Sequence, residues 1–165
     1  TYSENFSQWI AQGDGTGNVP PIVLNQGTSP KGDNDACRIV CNLNGGTSSS
    51  DKSFIRFNIT ATNLATASSI FVKNNGNSDL TISFGVGASR SDFFSVIPLD
   101  GKWHRIERGR ADSIFVANVN IGLIGGSTSD KADLLIWGGQ LELGSTIATS
   151  YIPTNGATAT RQAVR

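Results

Sequence analysis

No stretch of this 165-residue chain approaches the roughly 18 consecutive apolar residues that a membrane-crossing helix needs. Net charge is missing as well. The 13 Lys and Arg residues balance 13 Asp and Glu, so neither nucleic acid nor an anionic membrane surface is an expected partner. Histidine is reduced to His104. A nucleophilic triad needs an imidazole beside a Ser or Cys, and His104, within Trp103-His104-Arg105, reads as a structural or exposed side chain. The two cysteines, Cys37 and Cys41, lie in Ala36-Cys37-Arg38-Ile39-Val40-Cys41, a short β-branched run that predicts a strand. Along a strand their Cα atoms stand about 13 Å apart, and a disulfide needs less than about 7 Å. Their even separation puts both on one face with Ile39 and Leu43, as small buried hydrophobes. No other Cys and no second His completes a zinc-type site. Helical periodicity over ten or more residues is absent too.

What the chain has is turn and strand chemistry. Gly numbers 19, and Ser, Thr and Asn are abundant. Strand-like runs fall at 22–25, 36–43, 53–59, 68–74, 81–85, 93–97, 103–107, 114–124 and 134–143. Gly45-Gly46-Thr47-Ser48-Ser49-Ser50, Asn74-Asn75-Gly76-Asn77 and Gly125-Gly126-Ser127-Thr128-Ser129 separate some of them. Many short strands at such intervals predict a sandwich or barrel, and the length suits one domain spanning 1–165. Thr1 stands where an initiator Met would, and no leader pattern is visible, so the chain reads as a fragment of a longer polypeptide. Alternation assigns faces. Val119, Ile121 and Leu123 oppose Asn118, Asn120 and Gly122. Ile82, Phe84 and Val86 oppose Thr81, Ser83 and Gly85. Trp137, Leu141 and Leu143 oppose Gln140 and Glu142. Two packed sheets would bury the apolar set and leave Asn118, Asn120, Thr81, Ser83 and Gln140 on a polar outer face.

Three segments near the C-terminus carry a resemblance. Trp137-Gly138-Gly139-Gln140-Leu141-Glu142, then Ala148-Thr149-Ser150-Tyr151-Ile152-Pro153-Thr154, then Thr160-Arg161, resemble the closing signature of jelly-roll, carbohydrate-binding-module-like domains of bacteriophage tail fibres and tailspikes, with Gly139 in place of the usual Ala. Tyr2-Ser3-Glu4-Asn5-Phe6-Ser7-Gln8-Trp9 resembles that family's opening strand. Ser29-Pro30-Lys31-Gly32-Asp33, Ile70-Phe71-Val72-Lys73 and Gly101-Lys102-Trp103-His104-Arg105 resemble its intermediate anchors, in order. The resemblance implies an all-β, antiparallel two-sheet jelly-roll sandwich without catalytic activity, and a polar sheet face that in such modules often holds a sugar. It further implies a homotrimer in the virion acting at the host surface, with a bacterial polysaccharide, capsule or lipopolysaccharide, as partner. A structural trimerisation or capping domain with no sugar ligand, and an accessory domain of a depolymerase, remain open beside it.

Other features are weighed on their residues. Gly13-Asp14-Gly15-Thr16-Gly17-Asn18 has phosphate-loop composition, but Val19-Pro20-Pro21 blocks the helix such a loop requires, so it reads as a turn. Asp33-Asn34-Asp35 offers oxygen ligands. The final strand has Trp137-Gly138-Gly139 where related modules carry carboxylates, so no metal and no cofactor is expected. Trp9, Trp103, Trp137 and Tyr151 read as packing. In Arg90-Ser91-Asp92-Phe93-Phe94 one Phe must face outward, which makes Arg90, Asp92 and Phe93 a second candidate site at a loop edge, for a sugar or a subunit. Lys102, Arg105, Arg108 and Arg110 form a basic cluster, either a solvated strand paired with Glu107 and Asp112 or a contact for an acidic glycan.

Overall fold

A computed structural model describes residues 4–62, 64–87, 94–111 and 116–155. Ten strands lie among them: β1 (Ile10–Asp14), β2 (Ile22–Val23), β3 (Cys37–Asn42), β4 (Lys52–Thr62), β5 (Thr66–Asn74), β6 (Leu80–Val86), β7 (Phe94–Ile97), β8 (His104–Arg110), β9 (Val116–Ile124) and β10 (Lys131–Leu143). Sheet I has the order β1-β4-β9-β6-β7 and sheet II the order β2-β3-β10-β5-β8. Every pairing is antiparallel. The expected antiparallel two-sheet sandwich is what the chain forms.

Period-two alternation builds the core. β3 alternates buried and half-buried residues, so Cys37, Ile39 and Cys41 face inward together as expected. Burial pushes both thiols up to about 12, which keeps them protonated and unreactive at neutral pH. They meet Ile70 and Val72 of β5, Ile82 and Phe84 of β6, Val119, Ile121 and Leu123 of β9, and Leu134 and Ile136 of β10 in one cluster. Each such side chain contributes roughly 1.5–3 kcal/mol of burial energy.

The opening segment differs from the expected strand. Phe6–Gln8 is a single 3-10 turn, with the Asn5 side chain accepting from the Ser7 N–H. The turn drops Phe6 and Trp9 into the core, their rings 5.1 Å apart. β1 begins at Ile10 and ends in Gly13 and Asp14, the first two residues of the stretch that sequence reads as a turn.

Two arginines close one side of the sandwich. β8 is an edge strand of sheet II, and Arg108 and Arg110 alternate with Glu107 and Gly109 so as to point toward sheet I. Arg108 Nη2 donates to the Phe94 carbonyl and, at 2.8 Å, to Ser95 Oγ, both on β7. Arg110 is 8% exposed and its Nη1 donates to the Val86 carbonyl at 3.0 Å, at the end of β6. The basic cluster is therefore neither a solvated strand nor a glycan contact at these two positions. Arg105 does pair with Glu107, at 3.3 Å, and Asp112 lies outside the described residues.

Candidate functional site

The outer face of sheet I is a polar surface spanning adjacent strands. Register sets its rows. Gln12 of β1, Phe54 of β4, Gly122 of β9, Ser83 of β6 and Phe94 of β7 face one another in sequence across the sheet. Ile10, Arg56, Asn120 and Gly85 form the next row, and Asn58 faces Asn118 beyond it. Side-chain hydrogen bonds knit the polar members. Arg56 Nε donates to Gln12 Oε1 at 2.9 Å, and Arg56 Nη1 donates to Asn58 Oδ1. Gln12 Nε2 donates to Asp14 at 3.0 and 3.1 Å. Asn120 Nδ2 donates to Asn118 Oδ1 at 2.9 Å. Such a surface presents amide and guanidinium donors beside amide acceptors on one face.

Four of the residues expected on a polar face, Asn118, Asn120, Thr81 and Ser83, do share this one. Gln140 does not. It sits on β10 in sheet II, 6% exposed. β10 also carries a register shift between Trp137 and Gln140, where Gly138 takes a φ of +65°. The bulge puts Trp137 and Gln140 on the same outer side of sheet II, not on opposite faces as strict alternation predicts. The C-terminal segment then covers them. Gln140 Oε1 accepts from the Ile152 N–H at 2.7 Å, and Glu142 accepts from the Thr149 N–H at 2.8 Å. Tyr151 lies 4.7 Å from Trp137 and 6.2 Å from Phe71 between ring centroids, and its hydroxyl donates to Glu4 at 2.7 Å. Gln140 thus anchors a strap. Trp9 and Trp137 are packed as expected, Trp137 under the strap, and half-buried Trp103 donates to the Thr28 carbonyl at 3.1 Å. Arg90, Asp92 and Phe93 lie outside the described residues. Phe94, half-buried, and Val96, 66% exposed, border the polar face on β7. Sequence reading missed Arg56, Gln12 and Asn58, although Phe54-Ile55-Arg56-Phe57-Asn58 alternates as clearly as β9 does.

Elsewhere among the described residues several charged side chains occupy one another. Asp33 and Asp35 stand 3.5 and 3.3 Å from Lys31 Nζ, which also meets Glu4 at 3.1 Å, so an ammonium fills the position a metal would need. Glu4 and then Asp35 hold the Lys31 ammonium above its ordinary range. His104 Nε2 is 2.9 Å from Asp100. Beside the β5–β6 turn, a cleft of about 510 Å3 includes Asn42, Asn75, Asn77, Lys131 and Asp133 in its lining. Its carboxylate is held by both Arg38 and Asn75.

Several carboxyls sit below their ordinary values. Burial alone would raise Asp133, but Arg38 and Asn75 outweigh it. Burial likewise opposes Asp35 and Glu142, which Ser29, Trp137 and Lys31 and the Thr149 contacts hold down. The Thr16 and Ser48 N–H groups lower Asp51, and His104 and the Lys102 N–H lower Asp100. Near pH 4 the unfolded chain therefore binds more protons than the folded one, and stability rises with pH. The contribution is complete above the ordinary values of 3.8 for Asp and 4.5 for Glu and is lost as pH falls through the lowered ones. Urea midpoints are expected to stay flat from pH 8 to about 5.5 and fall below about pH 4.5. A midpoint unchanged down to pH 3 would show these contacts contribute nothing.

No family model and no curated protein matches the chain. Solved structures match its fold. A structure of the CBM22-1–GH10 modules of Clostridium thermocellum endo-1,4-β-D-xylanase 10B complexed with xylohexaose superposes with a TM-score of 0.55 at 16% identity, over 92% of this chain and 29% of that one. The chain thus spans under a third of that protein's crystallised length. The C-terminal family 22 carbohydrate-binding module of the same xylanase gives 0.56 at 12% identity, over 90% and 94%. A family 11 carbohydrate-binding module from the same organism, in complex with a β-1,3-1,4-mixed-linked tetrasaccharide, gives 0.53 at 10% identity, over 88% and 94%. The chain shares with them the jelly-roll sandwich of carbohydrate-binding modules.

Proposed function

We propose that this chain is a non-catalytic carbohydrate-binding module that holds a glycan on the outer face of sheet I. One observation carries the reading: side-chain amides of Gln12, Asn58, Asn118 and Asn120, with the Arg56 guanidinium among them, are aligned on one sheet face of a fold shared with modules crystallised with oligosaccharides. Each hydroxyl exchanged from water to such a group gains roughly 0.5–1.5 kcal/mol net. Stacking adds little, because Phe54 on this face is 7% exposed, Phe94 at its β7 edge is half-buried, and Trp137, Phe71 and Tyr151 pack on one another behind sheet II. Affinity per site is therefore on the order of 0.1–1 mM. Asn118→Ala and Asn120→Ala are expected to abolish binding in titration calorimetry without lowering the melting temperature, and wild type is expected to release no new reducing or unsaturated ends. Wild-type binding retained in both variants would place the site elsewhere, and turnover would return the chain to the enzymes.

The finer reading is a tail fibre or tailspike module at the virion surface that recognises capsule or lipopolysaccharide of the host. It rests on the sequence resemblance, above all on Trp137 through Glu142 and Ala148 through Thr154. Such a module assembles as a homotrimer, and linked copies raise a millimolar site by avidity. Sedimentation equilibrium at micromolar concentration is expected to return three times 17.4 kDa, and a clean monomer would remove trimerisation from this part of the chain. A structural module with no sugar ligand is favoured by a different observation. Ile147, Val96 and Leu143 are 74, 66 and 55% exposed, which is surface that subunit interfaces cover. A host glycan that fails to bind wild type decides for that second reading.

A further inference from the structure

We infer that Arg56 makes the outer face of sheet I selective for a carboxylated sugar, a hexuronate or another acidic residue within the glycan. This rests on the proposed use of that face and names the ligand's chemistry. Arg56 faces Ile10 of β1 on one side and Asn120 of β9 on the other, so its guanidinium stands inside the polar surface rather than at its edge. Two of its five N–H groups are spent, both on neutral side-chain oxygens, Gln12 Oε1 and Asn58 Oδ1. The Gln12 amide is itself fixed, because its Nε2 is turned to Asp14. The guanidinium is thus oriented without being neutralised.

The other described arginines are different. Arg38 is clamped bidentately by Asp133. Arg105 pairs with Glu107 and also donates to Ser69 and the Thr149 carbonyl. Arg108 and Arg110 are spent on backbone carbonyls between the sheets. Among the described residues, Arg56 is the half-buried arginine with neither a carboxylate nor a backbone carbonyl partner. Its remaining N–H groups suit the two oxygens of a carboxylate, and hydrogen bonds of that kind are roughly twice as strong as neutral ones. Asn118 and Asn120, alongside, are placed for the hydroxyls of the same ring. A neutral sugar uses only the second set.

The test is a titration of 15N-labelled protein with sodium D-glucuronate, D-glucose and sodium acetate at matched ionic strength. The readouts are the Arg56 Nε–H and the Asn118 and Asn120 side-chain amide resonances. Glucuronate is expected to saturate all three at least tenfold more tightly than glucose or acetate. Arg56→Gln is expected to bring glucuronate down to the glucose level, with the rest of the spectrum unchanged, and Arg56→Lys to keep part of the preference. If acetate matches glucuronate, the guanidinium is a simple anion site and the inference fails. It fails too if glucose and glucuronate shift Asn118 and Asn120 equally and Arg56→Gln changes neither, while the face stands as a sugar site. If no sugar moves any of the three resonances, the inference and the proposed site fail together.

Discussion

Arg110→Ala lowers the unfolding free energy by about 2–4 kcal/mol in urea denaturation, whereas Lys102→Ala changes it by less than about 0.5 kcal/mol. Both residues belong to one basic cluster in the sequence, and their difference comes from where β8 sends them. Lys102 is exposed in the turn before the strand. Arg110 is buried at the strand's inner side, and its guanidinium donates to the Val86 carbonyl across the gap between the sheets. Gly87, at a φ of +92°, leaves the space it occupies, since a Cβ there would stand 2.6 Å from Arg110 Nη1. Truncation strips the donor from a buried carbonyl, which costs about 1–3 kcal/mol by itself, and leaves a void where the guanidinium packed. Arg110→Lys is expected to recover part of the loss, because an ammonium reaches a carbonyl without filling a planar slot. A midpoint for Arg110→Ala within error of wild type, at unchanged m-value, would mean that this side of the sandwich is closed by other contacts.

Much of the fold was legible because strand alternation is a local signal. β3, β6 and β9 show their faces in the sequence, and the inward set of each is the buried set. β1 was illegible for a local reason as well. Gly13 and Asp14 carry turn composition, yet they pair with Ser53 and Lys52, and the pairing is decided by the partner strand. β10 misled in the opposite way. Its Gly138-Gly139 pair is a bulge signal, and reading through it with an unbroken period of two places Gln140 on the wrong side of Trp137. The strap over sheet II follows from the same bulge. Gly139, where the resemblance expects Ala, faces inward, and a Cβ there would lie 3.0 Å from Trp9 Cζ2.

The candidate site divides along the same line. Asn118 and Asn120 were legible because alternation inside one strand puts them outward. Their neighbours Gln12, Arg56 and Asn58 come from β1 and β4, and only cross-strand register brings them to β9. Arg56 stands between Ile55 and Phe57, Arg105 between His104 and Ile106, and Arg108 between Glu107 and Gly109, and none of these flanks says which partner the guanidinium meets. The distinction is made by partners on other strands, Gln12 for Arg56, separated by 44 positions, and Phe94 and Ser95 for Arg108, separated by 14 and 13.

Gly122→Ala is expected to cost about 3 kcal/mol or more and to abolish glycan binding with it. Gly122 lies in the middle of β9, between Phe54 of β4 and Ser83 of β6. A Cβ at this position would come 2.5 Å from Phe54 Cα and closer still to Phe54 Cβ and the Ser53 carbonyl oxygen. These are backbone and near-backbone atoms of a central strand, so no rotamer change relieves the contact, and β4 must move away from β9. That movement opens the ladder beside Arg56 and Asn120, the row that the proposed site depends on. Gly45 is the control. A Cβ there meets nothing within 4 Å, but its φ is +82°, so Gly45→Ala carries only backbone strain, on the order of 1 kcal/mol. Phe54→Ala in the same chain as Gly122→Ala is expected to bring no rescue, because alanine keeps both Cα and Cβ of residue 54. If the double variant is instead more stable than Gly122→Ala alone, the obstacle is the Phe54 ring and not the strand backbone. If Gly122→Ala unfolds within about 1 kcal/mol of wild type, β4 yields without loss.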